Sequence, residues 1–127
     1  MGKIASLAVE EVVNIDLHRV EQIVTELGED AAAQVIGAAL EQLALCLTHT
    51  VTAADRGELA GVVSHADRLS RLAWQVGLVT LAGVAVDVGG CAERRDAGAL
   101  AATVARLRRI GNQSLTRIWD RPDKIGR

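Results

Sequence analysis

A histidine stands two residues before an aspartate in the stretch VVSHADRLSRLAWQVG, which runs from Val62 to Gly77. His65 and Asp67 are residue types that can form a catalytic acid–base pair or a pH-sensitive switch. They can equally be two ordinary side chains on different faces of one helix. The spacing of the apolar residues around them distinguishes these cases.

The apolar residues of this stretch recur with helical spacing. Since each residue of an α-helix turns about 100°, one narrow stripe contains Val62, Ala66, Leu69, Ala73 and Val76. This stripe predicts the core-facing side. Asp67 then lies about 140° from the stripe centre, on an outward face with Ser70, whereas His65 lies about 60° away, at the edge of the buried side. The spacing therefore predicts that the two side chains form no dyad.

The other histidines and the cysteines, which could bind a metal or react, are isolated in the sequence. His18 and His49 have no acidic partner at metal-ligand spacing, which predicts surface or capping roles. Cys46 and Cys91 lack a CxxC spacing and lie in apolar segments, which predicts buried thiols and neither a metal site nor a disulfide.

The glycine-rich run VDVGGCAERR lacks the GK[ST] ending of a phosphate-binding loop, and it predicts a helix break. The predicted helical faces bring together no serine–histidine–acid arrangement, and the sequence contains no cofactor fingerprint. We therefore expect no hydrolase or redox activity and no bound cofactor or metal.

Length and composition favour one helical domain. The chain has 127 residues and a formal net charge of −2, which argues against attraction to nucleic acid or to an anionic membrane. Half of the residues are hydrophobic, yet Phe and Tyr are absent, so the core is expected to be aliphatic. Charges interrupt the apolar runs before the roughly 18 residues of a membrane span, and the start lacks a signal-peptide pattern. These features predict a cytoplasmic protein.

Periodicity and turn residues divide the chain into five predicted helices. The first covers LHRVEQIVTEL, with Asn14 and Asp16 as capping candidates and Gly28 as its end. The others are expected at about Glu29 to Ala54, from Gly57 to near Gly77, at about Leu78 to Glu93, and after RRDAG. In the last helix, the predicted core residues are Leu100, Val104, Leu107, Ile110, Leu115 and Ile118.

Short turns between such helices favour antiparallel neighbours. The predicted fold is all-α: an antiparallel up-and-down four-helix bundle with an additional short N-terminal helix packed across one end. A single domain is expected over residues 1–127, with its core at about 14–119 and a flexible tail at 120–127.

From Asn14 to Trp119 the sequence resembles the histidine phosphotransfer (HPt) domains of two-component phosphorelays. NIDLHRVEQIVTELGED resembles that family's first helix and turn. Around its phosphoacceptor the family typically reads Ala-His-x-Leu-Lys-Gly-(Ser/Ala)-Ala, with a glycine ten residues after the histidine. The similar run here is ADRLSRLA, and Gly77 lies ten residues after Asp67.

This resemblance implies a matching framework with different site residues. Ala66, Leu69, Ala73 and Gly77 match framework positions of the family. Asp67 occupies the position of the phosphoacceptor histidine, Ser70 that of the lysine and Arg71 that of the glycine.

A second registration makes His65 the phosphoacceptor, and its ten-residue distance from Asp55 in the preceding turn supports it. It would move Asp67 into the apolar position that Leu69 fills in the first registration. Gly77 would then lie two residues beyond the position of the family's glycine. Because burying an unpaired carboxylate costs several kcal/mol, the Asp67 registration is favoured.

The resemblance implies a degenerate member of the family. An acceptor imidazole forms a phosphoramidate and passes its phosphoryl group reversibly to a receiver-domain aspartate while Mg²⁺ neutralises charge, whereas a carboxylate cannot form a phosphoramidate. We therefore expect a module that docks a response-regulator receiver domain or a histidine kinase and is not itself an enzyme. The predicted docking residues are Val63, Asp67, Arg71 and Trp74, on a monomer or weak homo-oligomer.

Two alternatives stay open. In one, the protein is an active phosphotransfer intermediate that uses His65, and acid-labile phosphate on His65 would identify it. In the other, the helical bundle has a structural or oligomerisation role unrelated to phosphorelays. Neither phosphate transfer nor receiver binding would then be observed.

Overall fold

The computed structural model of the protein describes residues 11–119, with the side chain of Trp119 outside the description. These residues form five helices and no strand. The helices are α1 (Leu17–Leu27), α2 (Glu29–Asp55), α3 (Leu59–Gln75), α4 (Val79–Glu93) and α5 (Ala97–Trp119). The all-α class is confirmed, and the predicted boundaries agree within about two residues. The predicted flexible tail, 120–127, lies outside the described residues.

The helix ends use the capping chemistry that the sequence predicts, with one exception. The Asp16 side chain accepts a hydrogen bond from the Arg19 backbone N–H (3.3 Å) and caps α1. Left-handed glycines stand after α1, α2 and α3, at Gly28, Gly57 and Gly77. After α4 the residue with a positive φ is Arg95 (56°) and not a glycine.

The helix break predicted in the run VDVGGCAERR occurs at the end of the run, after Glu93, and not at its glycine pair. Gly89 and Gly90 are helical, and α4 continues to Glu93. A Cβ on Gly89 would lie 3.6 Å from the Ala66 Cβ of α3. These two small residues let α3 and α4 pack closely, and the packing offsets the low helix propensity of glycine.

All five helices contribute buried side chains to the core. α3 packs against α2 and α4, α5 packs against α4 and α2, and α1 packs against α2. The core of the described residues is aliphatic, as predicted, and its largest fully buried side chains include Ile36, Leu43, Leu69, Leu78, Leu81, Leu107, Ile110 and Ile118. Burying each such side chain contributes about 1.5–3 kcal/mol. In α5, Ser114 is fully buried and Leu115, predicted for the core, is half-buried.

Backbone contacts join the segment that precedes and begins α1 to the turn between α3 and α4. The Asp16 N–H donates to the Gly77 carbonyl (2.7 Å), and the Arg19 Nε–H donates to the Gln75 carbonyl (2.9 Å). The Asn14 N–H donates to the Thr80 Oγ1 (2.8 Å). These bonds hold the start of α1 at the end of the helices where α3 leads into α4.

Within residues 11–119, one helix meets the length and composition of a membrane span, which the charge pattern did not predict. α2 has 27 residues, and its most apolar 18-residue window has a mean hydropathy of 1.4, with 28% of that window buried. Core helices of soluble proteins and signal sequences share these properties. Within the described fold, α2 packs against three other helices and buries Ile36, Leu40 and Leu43.

Candidate functional site

The helical phase predicted for α3 is confirmed. Val62, Ala66, Leu69 and Ala73 have no exposed surface, and Val76, just after the helix, is 2% exposed. Asp67 is exposed and His65 is half-buried, as the stripe predicted. The side chains of His65 and Asp67 therefore leave α3 in different directions, because the stripe determines how the helix is rotated against its neighbours.

Asp67 presents its carboxylate to solvent beside one cation. Its Oδ2 lies 2.9 Å from Nη2 of Arg71, one turn further along α3, and the two side chains are 63% and 71% exposed. An exposed pair at this spacing stabilises a helix by only about 0.3–0.5 kcal/mol. Neither group is held by burial, so both are accessible to a binding partner.

Ser70 departs from the predicted outward face, since it is only 6% exposed. It lies about 80° from the centre of the core stripe, on the side opposite His65. His65 faces α2, so Ser70 belongs to the side of α3 that α4 covers. Of the three residues that the sequence resemblance assigned to the site, Asp67 and Arg71 are accessible and Ser70 is not.

The apolar part of the predicted docking face consists mainly of Trp74. Its residue surface is 58% exposed, so the indole does not fold back into the core. Val63 is half-buried and packs against the core, which leaves less of it for a partner than the sequence predicted. Trp74 lies two turns, about 10 Å, beyond Asp67 along the helix. The accessible set is therefore Asp67, Arg71 and Trp74, with Val63 at its edge.

His65 has neighbours that the sequence analysis did not connect with it. The Cys46 thiol of α2 donates a hydrogen bond to the His65 carbonyl oxygen (3.2 Å). The His49 and His65 rings have their centroids 5.3 Å apart, with an angle of 50° between planes. His49 is exposed, as predicted. The Cys46-x-x-His49 spacing places both residues on neighbouring turns of α2, but it carries no information about which residue of α3 they meet.

A cavity of about 260 Å³ opens at this contact between α2 and α3. Its lining residues are Gln42, Leu45, Cys46, His49, His65 and Arg68. Burial raises the pKa of the Cys46 thiol, and the nearby Arg68 charge opposes this more weakly. Cys46 is therefore a neutral thiol at pH 7 and a poor nucleophile.

No group of three or more His, Cys, Asp or Glu side chains within residues 11–119 could hold a metal ion. Cys46 and Cys91 are both buried and free, as predicted.

No family model matches the chain, and comparisons with the curated proteins and with the solved structures found no match either. The resemblance to HPt domains therefore stays a prediction from the sequence.

Proposed function

We propose that the protein is an HPt-like signalling module that docks a receiver domain or a histidine kinase without carrying phosphate itself. The observation that carries this proposal is the exposed carboxylate of Asp67 on a helix whose neighbouring positions Ala66, Leu69 and Ala73 are fully buried. In the HPt pattern these three are framework positions, and Asp67 stands where the pattern has the phosphoacceptor histidine.

The proposal includes an antiparallel up-and-down four-helix bundle for α2 to α5, with α1 across one end. The four helices contact one another in a closed order, α2 to α3 to α4 to α5 and back to α2. The connections after α2, α3 and α4 contain three residues each, at 56–58, 76–78 and 94–96. Such short connections favour antiparallel neighbours and support the bundle.

Gly77 adds support to the proposed registration. It has a φ of 81°, and a Cβ there would come within 2.6 Å of the Asp16 carbonyl oxygen. The position thus requires glycine for both conformation and space. In the Asp67 registration it coincides with the glycine that the HPt pattern places ten residues after its acceptor.

The accessible side chains suit recognition of a partner protein better than phosphoryl transfer. Asp67 offers a fixed negative charge in place of a phosphorylatable imidazole, and Arg71 fills the space that a glycine would leave open. Trp74 supplies the large apolar surface that often dominates the energy of protein interfaces. The proposal includes a cytoplasmic location, as the sequence predicts.

The decisive experiment mixes the full chain with receiver domains, phosphorylated and unphosphorylated, and with histidine kinases from its own organism. We expect one receiver to bind and no acid-labile phosphate to appear on the protein. Trp74→Ala should weaken binding at least about tenfold, since interface tryptophans often contribute 2 kcal/mol or more. Val35→Ala, which shortens an exposed apolar side chain on α2, should leave it unchanged. Binding that is insensitive to Trp74→Ala would refute the docking face, and binding by no receiver or kinase would refute the proposal.

A companion experiment restores the missing acceptor. The double variant Asp67→His, Arg71→Gly places an imidazole on the outward face and opens space one turn later. A lysine at position 70 is omitted because Ser70 is buried. The glycine should cost about 1 kcal/mol in helix stability. We expect the double variant to accept phosphate from the bound receiver and Arg71→Gly alone to accept none. Equal labelling of both would contradict the role given to position 67.

A second candidate function is active phosphotransfer through His65. The half-buried His65 ring is favoured for this role by its position beside His49 and Arg68 in an open cavity. Acid-labile phosphate on the wild type, abolished by His65→Gln, would establish this function in place of the first. If neither binding nor labelling occurs, a structural or oligomerisation role is left.

A further inference from the structure

We infer that His49, His65 and Arg68 form a binding site for a tetrahedral oxyanion, with phosphate as the reference ligand. The inference goes beyond the docking proposal and does not depend on it. Asp67, Arg71 and Trp74 line no part of this cavity, so either proposal can fail while the other stands.

The first argument is charge. Arg71, Arg106, Arg108 and Arg109 each lie within 4 Å of a carboxylate. Arg68 instead donates to a neutral amide oxygen, Oε1 of Gln42, at 3.2 Å, and no ion pair involves it among residues 11–119. Its guanidinium can therefore bind an anion without first breaking an ion pair.

The second argument is the arrangement of donors. The imidazoles of His49 and His65 come from adjacent helices and stand 5.3 Å apart between centroids. They share with Arg68 a cavity of about 260 Å³ that no Asp or Glu side chain lines. Imidazole N–H groups and the guanidinium are hydrogen-bond donors, and a guanidinium matches two oxygens of a phosphate at once. A cavity lined by several donor side chains and by no carboxylate favours a multivalent oxyanion.

The third argument concerns Cys46, which closes the floor of the cavity. Its thiol already donates to the His65 carbonyl at 3.2 Å, which joins α3 to α2 beside the His65 ring. Because burial raises the pKa of this thiol, it adds no competing negative charge at pH 7.

The same neighbourhood is unsuited to a metal cation. The Cys46 thiol donates to the His65 carbonyl oxygen at 3.2 Å, and the Arg68 guanidinium repels a cation at the cavity. Within the described part of the chain, the ligand groups likewise form no set of three or more that could hold a metal.

The sequence provides a direct assay by proton NMR. The chain has three histidines, no Phe or Tyr and two Trp, so the imidazole C–H signals can be resolved without isotope labelling. His18, exposed on α1, serves as an internal reference. Inorganic phosphate is titrated into the full chain at fixed pH, with NaCl holding the ionic strength constant. We expect the His49 and His65 signals to shift along one common saturation curve while the His18 signal stays in place.

Two matched variants test the charge argument. Arg68→Gln should weaken phosphate binding about tenfold, the loss expected for one charge-assisted hydrogen bond. Arg108→Gln removes the same charge on α5, away from this cavity, from an exposed guanidinium that Asp55 already pairs at 3.3 Å, and should leave the curve unchanged. Both side chains are exposed, so neither change threatens the fold.

A second titration with O-phosphoserine separates two sources of the same chemistry. Comparable binding of both compounds assigns the site to phosphoryl groups carried on a larger molecule, and binding of phosphate alone assigns it to the free ion. The inference is overturned if His18 shifts as much as His49 and His65, if Arg68→Gln and Arg108→Gln behave alike, or if neither compound gives a saturable shift.

Discussion

Replacing Gly77 and Gly57 by alanine should separate two ways in which a side chain at a left-handed glycine destabilises a protein: backbone strain and steric contact. Gly57 and Gly77 have similar φ values, 70° and 81°, and each stands in a turn between two helices. A Cβ on Gly57 would meet no atom within 4 Å, whereas a Cβ on Gly77 would come within 2.6 Å of the Asp16 carbonyl oxygen. Gly57→Ala therefore measures conformational strain alone, and Gly77→Ala measures strain together with the contact to the start of α1.

The expected magnitudes follow from this difference. Placing alanine in the left-handed region costs about 1 kcal/mol of unfolding free energy. At Gly77 the segment around Asp16 must also move away, which weakens the Asp16 N–H to Gly77 carbonyl bond (2.7 Å) and the neighbouring bond from Arg19 to Gln75 (2.9 Å). At about 1 kcal/mol per bond, Gly77→Ala should cost about 3 kcal/mol in total.

Urea denaturation followed by far-ultraviolet circular dichroism measures both variants against the wild type. Thermal unfolding of the same variants should show this difference of about 2 kcal/mol as a gap of roughly 8 °C in Tm for a chain of this size. Equal destabilisation by the two substitutions would refute the reasoning, because the start of α1 would then be free to move away from the α3–α4 turn at no cost.

Three further outcomes follow from single contacts. Gly83 lies at a helical position of α4, and a Cβ there would meet no neighbouring atom within 4 Å. Gly83→Ala should therefore raise the unfolding free energy by about 0.5–1 kcal/mol. A lower unfolding free energy in urea denaturation would show that the added methyl group does not fit. A hydrogen bond from Arg106 is the largest cause that holds the pKa of Glu11 below its usual value of 4.5. The wild type should therefore keep this stabilisation above about pH 4.5 and lose it as the pH falls through the lower folded-state pKa. Glu11→Gln should reduce the slope of the unfolding free energy against pH in that range. Equal slopes for the variant and the wild type would contradict this. A double-mutant cycle on Asp67→Asn and Arg71→Gln should give a coupling of at most about 0.5 kcal/mol that 1 M NaCl reduces, and a coupling above 1 kcal/mol would show a more rigid pair than the exposed geometry indicates.

The local features of the fold could be predicted from the sequence. Helix formation and the rotation of α3 depend on residues within a few positions of one another, so the stripe from Val62 to Val76 was sufficient to place Asp67 outside and His65 at the edge of the core. The cap at Asp16 and the left-handed glycines depend on equally local geometry. Short-range periodicity contains this information because it follows from the pitch of the helix.

Only the tertiary structure decided which residues of different helices meet. Ser70 is buried because α4 covers that side of α3, and α4 remains helical through Gly89 because Ala66 packs close to it. The pairing of His49 with His65 depends on the axial register between α2 and α3. The register is determined by how the side chains of both helices pack together over their whole length, which the periodicity of either helix alone does not specify. The oxyanion site inferred from this pairing therefore had no signal in the sequence, whereas the exposed face of Asp67 did.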